Sequence, residues 1–353
     1  MIFGDVLKIK NGRNQKTVEN PDGKYPIYGS GGVMGYADDY ICTANTVVLG
    51  RKGSINNPIF VERPFWNVDT AFGLEANPEV LIPKYLYYFC KHFNFEKLNK
   101  AVTIPSLTKA DLLKIEIDLP KLSEQQSIVL QLSKVEDVIL LRQHQLQKLD
   151  ELIKARFVEL FGPCQSMASM DELCSIITDG THQPPKFHSD GIPFIFVSNL
   201  VKNTVTYNAE KFISEETYSE LYKRTPIEVG DLLLSTVGSY GHPAVVVEDR
   251  KFLFQRHIAY LKPKRDIVNS FYLHAALLSP DSQRQIEEKV KGIAQKTLNL
   301  SEIKKILIPL PSIEEQNAFE VFVKQTDKSK AAVQKALDEA QLLFDSLMQK
   351  YFG

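Results

Sequence analysis

Apolar residues recur through the middle of the chain at alternating steps of four and three. Ile128, Leu132, Val135, Ile139, Arg142, Leu146, Leu149, Ile153, Arg156 and Leu160 trace one such stripe, the a/d seam of a helix that pairs with another helix. The geometry returns 191 positions later as Phe319, Val323, Thr326, Lys330, Val333, Leu337, Ala340, Phe344, Leu347 and Tyr351, with a more polar middle. Val138, Leu141 and Leu152 add a partial second stripe to the first helix. Start signals precede both: Ser123 with Gln126, and Ser312 with Glu315 in a capping box. Gly162 and Gly353 mark the stops. Helices of about 38 residues span roughly 57 Å, too long to hide a stripe inside a small domain. Each is therefore expected to pair with its own copy, antiparallel, with a globular module at either end.

The repetition extends beyond the stripes. Residues 104–162 align with 295–353 without a gap and are identical at 13 of 59 positions, including Lys114/Lys305, Pro120/Pro311, Glu124/Glu315, Gln125/Gln316 and Phe161/Phe352. A unit this long is not a solenoid repeat of roughly 20–50 residues. It predicts a duplicated domain-plus-helix: modules at 1–119 and 163–310, helices at 120–162 and 311–353. Within the modules, β-branched and aromatic residues alternate with Gly, Asn, Ser and Pro turns, which predicts β-rich folds with irregular loops. Strands are expected in 4–12 and 170–180 and again in 45–54 and 230–239, and helices in 83–93 and 270–290. The class is α+β, arranged as a pseudo-twofold tandem repeat. Such a chain suits a target, or a pair of partners, that is itself duplicated.

Charge narrows the possibilities. The net charge is −1, and both modules are balanced, with 14 Lys/Arg against 13 Asp/Glu in 1–119 and 17 against 17 in 163–310. A chain like this lacks the bulk positive field for unaided tight binding to nucleic acid. Either its basic groups cluster on one face or a partner supplies the phosphate contacts. The sequence contains no apolar run near 18 residues and no basic-apolar leader after Met1, which predicts neither a membrane span nor a signal peptide. Cys42, Cys90, Cys164 and Cys174 lack C-x-x-C spacing and read as reduced thiols of a cytoplasmic protein.

Catalytic patterns are missing from the sequence. There is no G-x-x-x-x-G-K-[ST] and no G-x-S-x-G, and the glycine run 29–35 does not fit G-x-G-x-x-G. Pro280-Asp281 with Glu287-Glu288-Lys289 is spaced too closely for a nuclease site, and His182 and His188 have no partner at metal-ligand spacing. These patterns point to a protein that binds and positions. The candidate readers lie in glycine-rich loops. In the first module they are Ser30, Gly31, Arg51, Lys52, Ser54, Asn56 and Asn57; in the second, Thr181, His182, Ser198, Asn199, Ser239, Tyr240, His242, Arg256 and Lys296 beside Gln295. Glycine lets backbone approach a polyanion, while Arg, Lys, Asn and His reach base edges.

The twofold L-P-x-x-x-E-Q block (119–125 and 310–316), leading into a long helix that ends in F-G, resembles the conserved regions of specificity (S) subunits of type I restriction-modification systems. The strings YGSGG (28–32), GRKGSI (50–55) and WNVDT (66–70) look like those of their target-recognition domains. GTH (180–182), GIPF (191–194) and QRHIA (255–259) look like those of a second variety. The resemblance covers essentially the whole chain, which is compact for the family. It implies two target-recognition domains separated by a pair of long antiparallel coiled-coil helices, each domain reading one half of a bipartite target in double-stranded DNA. The helices would fix the gap and seat two modification (M) subunits. Those subunits would bring S-adenosylmethionine, and restriction (R) subunits would bring ATP and Mg, so that no cofactor is held here. The alternative from the residues alone is a protein-interaction scaffold with duplicated β-rich modules on a coiled coil.

Overall fold

The computed structural model describes residues 1–101, 103–292 and 296–353. Gln295 therefore lies outside the described residues. The chain divides into two compact units, residues 1–143 with 334–353 and residues 144–333.

The first unit opens with α1 (Phe3–Val6), followed by β1 (Leu7–Asn11), β2 (Tyr25–Gly29), β3 (Gly32–Ala37), β4 (Thr46–Gly50), β5 (Ile59–Val61), β6 (Trp66–Asn67) and β7 (Ala71–Ala76). Then come α2 (Pro83–His92), α3 (Lys109–Leu112) and the start of α4 (Leu122–Phe161). Four strands form an antiparallel sheet in the order β1-β7-β4-β5, and three form a smaller sheet, β3-β2-β6, in which β2 and β6 are parallel. The central strand β4 is buried at every position. It reads as a continuous apolar run because neither face meets water.

The second unit has β8 (Met167–Ser169), α5 (Met170–Leu173), β9 (Cys174–Asp179), β10 (Ile192–Ile195), β11 (Phe212–Ile213), α6 (Glu215–Leu221), β12 (Leu232–Ser235), β13 (Pro243–Val245), β14 (Leu253–Phe254) and β15 (Ile258–Pro263). It continues with α7 (Ser270–Leu277), α8 (Pro280–Lys289), α9 (Leu300–Ile303), β16 (Leu307–Pro309) and α10 (Ile313–Phe352). Its sheets run β9-β15-β12-β13 and β11-β10-β14, with β10 and β14 parallel, and β8 pairs with β16 in a two-stranded antiparallel sheet. Taken in chain order, seven strands repeat the neighbours and directions of β1 to β7. The duplication therefore holds through the modules, where sequence similarity is faint. Backbone contacts repeat as well: Phe3 N donates to Ile115 O at 2.9 Å, and Met170 N to Ile306 O at 2.9 Å. The added length of the second module falls at 196–211, where the first has only 30–31, and at 214–231, where the first has 38–45.

Inside each unit a half of α4 packs antiparallel to a half of α10. In the first, Ile128, Val129, Leu132, Val135 and Ile139 share the core with Leu337, Phe344, Leu347 and Met348, and Tyr351 Oη donates to Gln131 Oε1 at 2.9 Å. In the second, Ile153, Phe157 and Phe161 cluster with Phe319 and Val323, and Lys330 pairs with Asp150 at 2.7 Å. Leu146, Leu149 and Val333 are half-buried.

Three expectations need correction. Leu160 is exposed, and Phe157 and Phe161 carry the end of the seam. The stripe there steps by four from Ile153, because the helix packs onto a module core as well as another helix, and a straight helix follows 3.6 rather than 3.5 residues per turn. Ser123 lies inside α4; the repeat-equivalent of Ser312 is Lys121, whose backbone N–H donates to Glu124 Oε2 at 3.2 Å. Ser312 and Glu315 do form the box, with Glu315 Oε2 accepting from Ser312 N at 2.9 Å. Finally, 270–290 is two helices. Pro280 cannot continue α7, because it lacks an N–H and its ring blocks the preceding turn. It takes the first position of α8 instead, and Ser279 caps that helix by accepting from Ser282 N at 3.3 Å.

The E-Q dipeptide of the repeat has a structural role. Gln125 and Gln316 are both fully buried. Gln125 accepts from Ile82 N at 2.9 Å and donates to Val80 O and Pro120 O, each at 2.9 Å. Gln316 accepts from Asn269 N at 2.8 Å and donates to Ile267 O at 3.2 Å and Pro311 O at 3.0 Å. One side chain thus seats the start of each long helix on the loop before α2 or α7.

Candidate nucleic-acid interface

Antiparallel pairing places the C-terminal ends of β1 and β4 beside the N-terminal ends of β7 and β5. Segments 12–16, 51–58 and 67–70 therefore leave the first unit's sheet at the same edge. Backbone bonds tie them together: Arg51 N and Lys52 N donate to Thr70 O at 2.7 and 3.2 Å, Arg13 N to Asn67 O at 2.9 Å, and Gly53 N to Pro105 O at 3.0 Å. Gly53 has φ +84°, in the left-handed region that favours glycine. A Cβ on Gly50 would lie 2.2 Å from Ser54 O and 3.1 Å from Ser30 Cβ, so the turn closes only without a side chain. Ser30, Arg51, Lys52 and Ser54 are thereby brought together, with Gly31 next in the same turn. The exposed Arg51 guanidinium lies 5.7 Å from the Phe72 ring centroid and reaches Asp69 O at 3.5 Å. Asn57 is exposed. Asn56 is committed to the scaffold, accepting from Phe95 N at 2.7 Å and donating to Asn94 Oδ1 at 3.2 Å.

In the second unit the same sheet edge carries the segments after β9 and β12 and before β15 and β13. Thr181 N donates to Phe254 O and Arg256 N to Thr181 O, both at 3.1 Å; Thr236 N donates to His257 O at 2.9 Å and Gly238 N to Lys296 O at 3.2 Å. Thr181, His182, Ser239, Tyr240, His242, Arg256 and Lys296 thus belong to one cluster of loops. Lys296 pairs with Glu287 at 2.9 Å, and Glu287 also accepts from the Tyr240 hydroxyl. The hydrogen bond to Glu287 holds the Tyr240 hydroxyl above the usual tyrosine range. His242 Nδ1 lies 3.0 Å from Asn203 Oδ1. Burial pushes both His242 and His257 below the usual histidine range, with the Arg256 charge adding to the shift at His257. Both shifts favour the uncharged ring.

Asn199 is buried and holds the 196–211 insertion: it accepts from Phe196 N at 3.0 Å and donates to Thr206 O at 2.9 Å and Asn208 O at 3.2 Å. Ser198 beside it is exposed. Two groups that the sequence did not single out stand at these edges. Arg13 follows β1, and Arg224 pairs with Asp179 at 2.6 Å next to His182, whose Nε2 is 2.9 Å from the same carboxylate. Beside them, residues 180–186, α6 and the Arg224-Thr225 segment line an open cavity of about 570 Å³. The available signal was positional: Arg13 follows the first strand of its module just as His182 follows that of the other.

Among the described residues, no group of three or more His, Cys, Asp or Glu is placed to hold a metal ion. Among the same residues, no helix is long and apolar enough to cross a membrane. The four cysteines are free, and Cys42, Cys90 and Cys174 are buried. Burial pushes the Cys42 and Cys174 thiols up to about 12, so they are packed and unreactive.

Seven-strand modules repeated in tandem, each followed by a 40-residue helix, define a class of protein. The sequence pattern of the type I restriction modification DNA specificity domain matches residues 2–151 and 169–340, and the chain belongs to that family. It is 34% identical to the type I restriction enzyme EcoBI specificity subunit of Escherichia coli over 49% of this chain and 37% of that protein. It is 22% identical to the MjaVIII specificity subunit of Methanocaldococcus jannaschii over 95% of this chain and 88% of the relative. The fold matches the crystal structure of a type I restriction-modification system S subunit from M. genitalium with a TM-score of 0.63, at 18% identity, covering 100% of this chain and 95% of that one.

Proposed function

We propose that this chain is the DNA sequence-specificity subunit of a type I restriction-modification complex, a recognition component that leaves catalysis to its partners. Each module, 1–119 and 163–310, reads one half of a bipartite duplex target. The observation that carries this reading is the same sheet edge presenting polar loops with exposed basic side chains in both modules, Arg51 and Lys52 in one and Arg256 in the other, while the loops themselves differ. A common framework with divergent loops suits two half-sites of different sequence. The near-neutral charge agrees, since flanking M subunits would supply phosphate contacts. The long helices, 120–162 and 311–353, set the spacer and dock two M subunits. S-adenosylmethionine is held by those subunits, and ATP with Mg by any restriction subunit. The complex works in the cytoplasm, a setting that buried, unpaired thiols fit.

The test is to co-express the chain with a methyltransferase subunit and measure retention of duplexes in about 0.2 M salt, where non-specific binding is weak. Retention of one bipartite sequence over scrambled ones is expected. Arg51→Ala should lower discrimination in one half-site and Arg256→Ala in the other, by about 1–3 kcal/mol at the base concerned. Sequence-blind or absent retention by the unmutated complex would favour the scaffold reading instead.

Each long helix is 40 residues, about 60 Å at 1.5 Å per residue. Inserting one heptad into each, at corresponding seam positions, adds about 10 Å of rod. The preferred gap between half-sites should lengthen by about three base pairs at 3.4 Å each, with both half-sites unchanged. An unaltered gap would show that the helices do not measure it.

A further inference from the structure

We propose that the cavity between residues 180–186 and α6 is a base-edge site for guanine in the major groove, with Arg224 as its reading residue and Asp179 as the residue that positions it. This rests on the chain being a DNA-specificity subunit. Arg224 follows α6 in the 214–231 insertion, for which the first module has only 38–45. Its Nη2 lies 2.6 Å from Asp179 Oδ1, and Asp179 Oδ2 lies 2.9 Å from His182 Nε2. Asp179 ends β9, and its side chain is 16% exposed, against 51% for Arg224. The sheet therefore anchors the carboxylate, and the carboxylate tethers one end of a guanidinium that water, or a ligand, can still reach.

A guanidinium has five donors in one plane, so a contact to Asp179 orients it without exhausting it. Guanine presents O6 and N7 side by side in the major groove, the acceptor pair that an oriented arginine fork matches. The charge of the site is balanced, not basic. Glu220 lines the cavity with Lys186 and Arg224, and Asp179 stands beside them. With the two carboxylates offsetting Lys186 and Arg224, the site lacks the net positive charge that holds a phosphate, whereas Glu220 can accept from the amino group of a neighbouring cytosine or adenine. Pro184, Pro185 and Leu221 give the cavity an apolar wall.

The experiment uses the full chain in complex with its methyltransferase subunits and duplexes varied one base pair at a time, over a series of salt concentrations. Arg224→Ala should lose about ten- to a hundred-fold discrimination for guanine at one position of one half-site. The other half-site should be read as before, and the salt slope should not change. Arg224→Lys keeps the charge but loses the fork, and should fail at the same position. Asp179→Asn should weaken discrimination there by a smaller factor, an effect that a merely structural role would not confine to one base pair. Undisturbed reading of the remaining positions in the same half-site confirms that the second module is folded in each variant. Uniform weakening with a salt slope lower by about one would mark a phosphate contact and overturn the proposal. Full discrimination by Arg224→Ala would also overturn it while leaving the functional reading intact. If the unmutated complex has no preference at any position, the functional reading falls and this inference falls with it.

Discussion

Phe319→Ala is expected to destabilise the second unit by about 3–5 kcal/mol, the usual cost of removing a buried aromatic ring. Phe319 is 1% exposed. Its ring centroid lies 5.8 Å from that of Phe157, 5.5 Å from Phe161 and 6.3 Å from Tyr272. One side chain therefore joins α4, α7 and α10, and each edge-to-face contact adds about 0.5–1.5 kcal/mol beyond burial. The neighbouring Val321 is 69% exposed, so Val321→Ala should stay within about 0.5 kcal/mol of the unmutated chain. Because the chain has two compact units, a single melting point is a poor readout. Amide exchange in β12 and β15 isolates the affected unit. Equal protection of those strands in the two variants would mean that the aromatic cluster does not seat α10.

The paired glutamines carry the second large effect. Gln125→Ala removes the acceptor for Ile82 N and both donors that satisfy Val80 O and Pro120 O. A buried group left unpaired costs about 1–3 kcal/mol, so a loss on the order of 3 kcal/mol is expected. Gln316→Ala should do the same in the second unit, where Asn269 N loses its acceptor. The expected signature is local: faster exchange at the Ile82 amide for the first variant and at the Asn269 amide for the second. Unchanged exchange at both would show that water replaces the glutamine readily and that the motif does not fasten the helix. Gln125→Glu is informative too, since a carboxylate keeps the acceptor but sets a charge against two carbonyl oxygens.

The long helices were legible because their information is periodic and local. Ile128, Leu132 and Ile139, like Phe319, Val323 and Phe344, announce a buried face through spacing alone. The seam failed at Leu160, where the helix meets a module and the period of its neighbours changes. Strands such as β4 and β12 were legible as apolar runs leading into a glycine-serine turn. Their sheet order was not, because pairing of β7 with β1 joins residues more than sixty apart and leaves no local trace. The candidate site divides in the same way. Arg51 and Lys52 stood out because glycines frame them. Arg224 did not, since its partner Asp179 lies 45 residues earlier and only folding brings them together. Asn56 and Asn199 show the reverse: polar loop residues that look like readers in sequence are spent on holding backbone in place.

Phe344 and Met348 sit in the same core as Phe3, Tyr85 and Leu132. A ribosome adding about 5–20 residues per second needs roughly 10–40 s to pass from residue 143 to residue 334. For that interval the nascent first unit lacks the half of α10 whose Phe344 and Phe352 pack on Tyr85, Tyr88 and Phe89. Completion of the first unit's core therefore waits until the whole of the second unit has been synthesised.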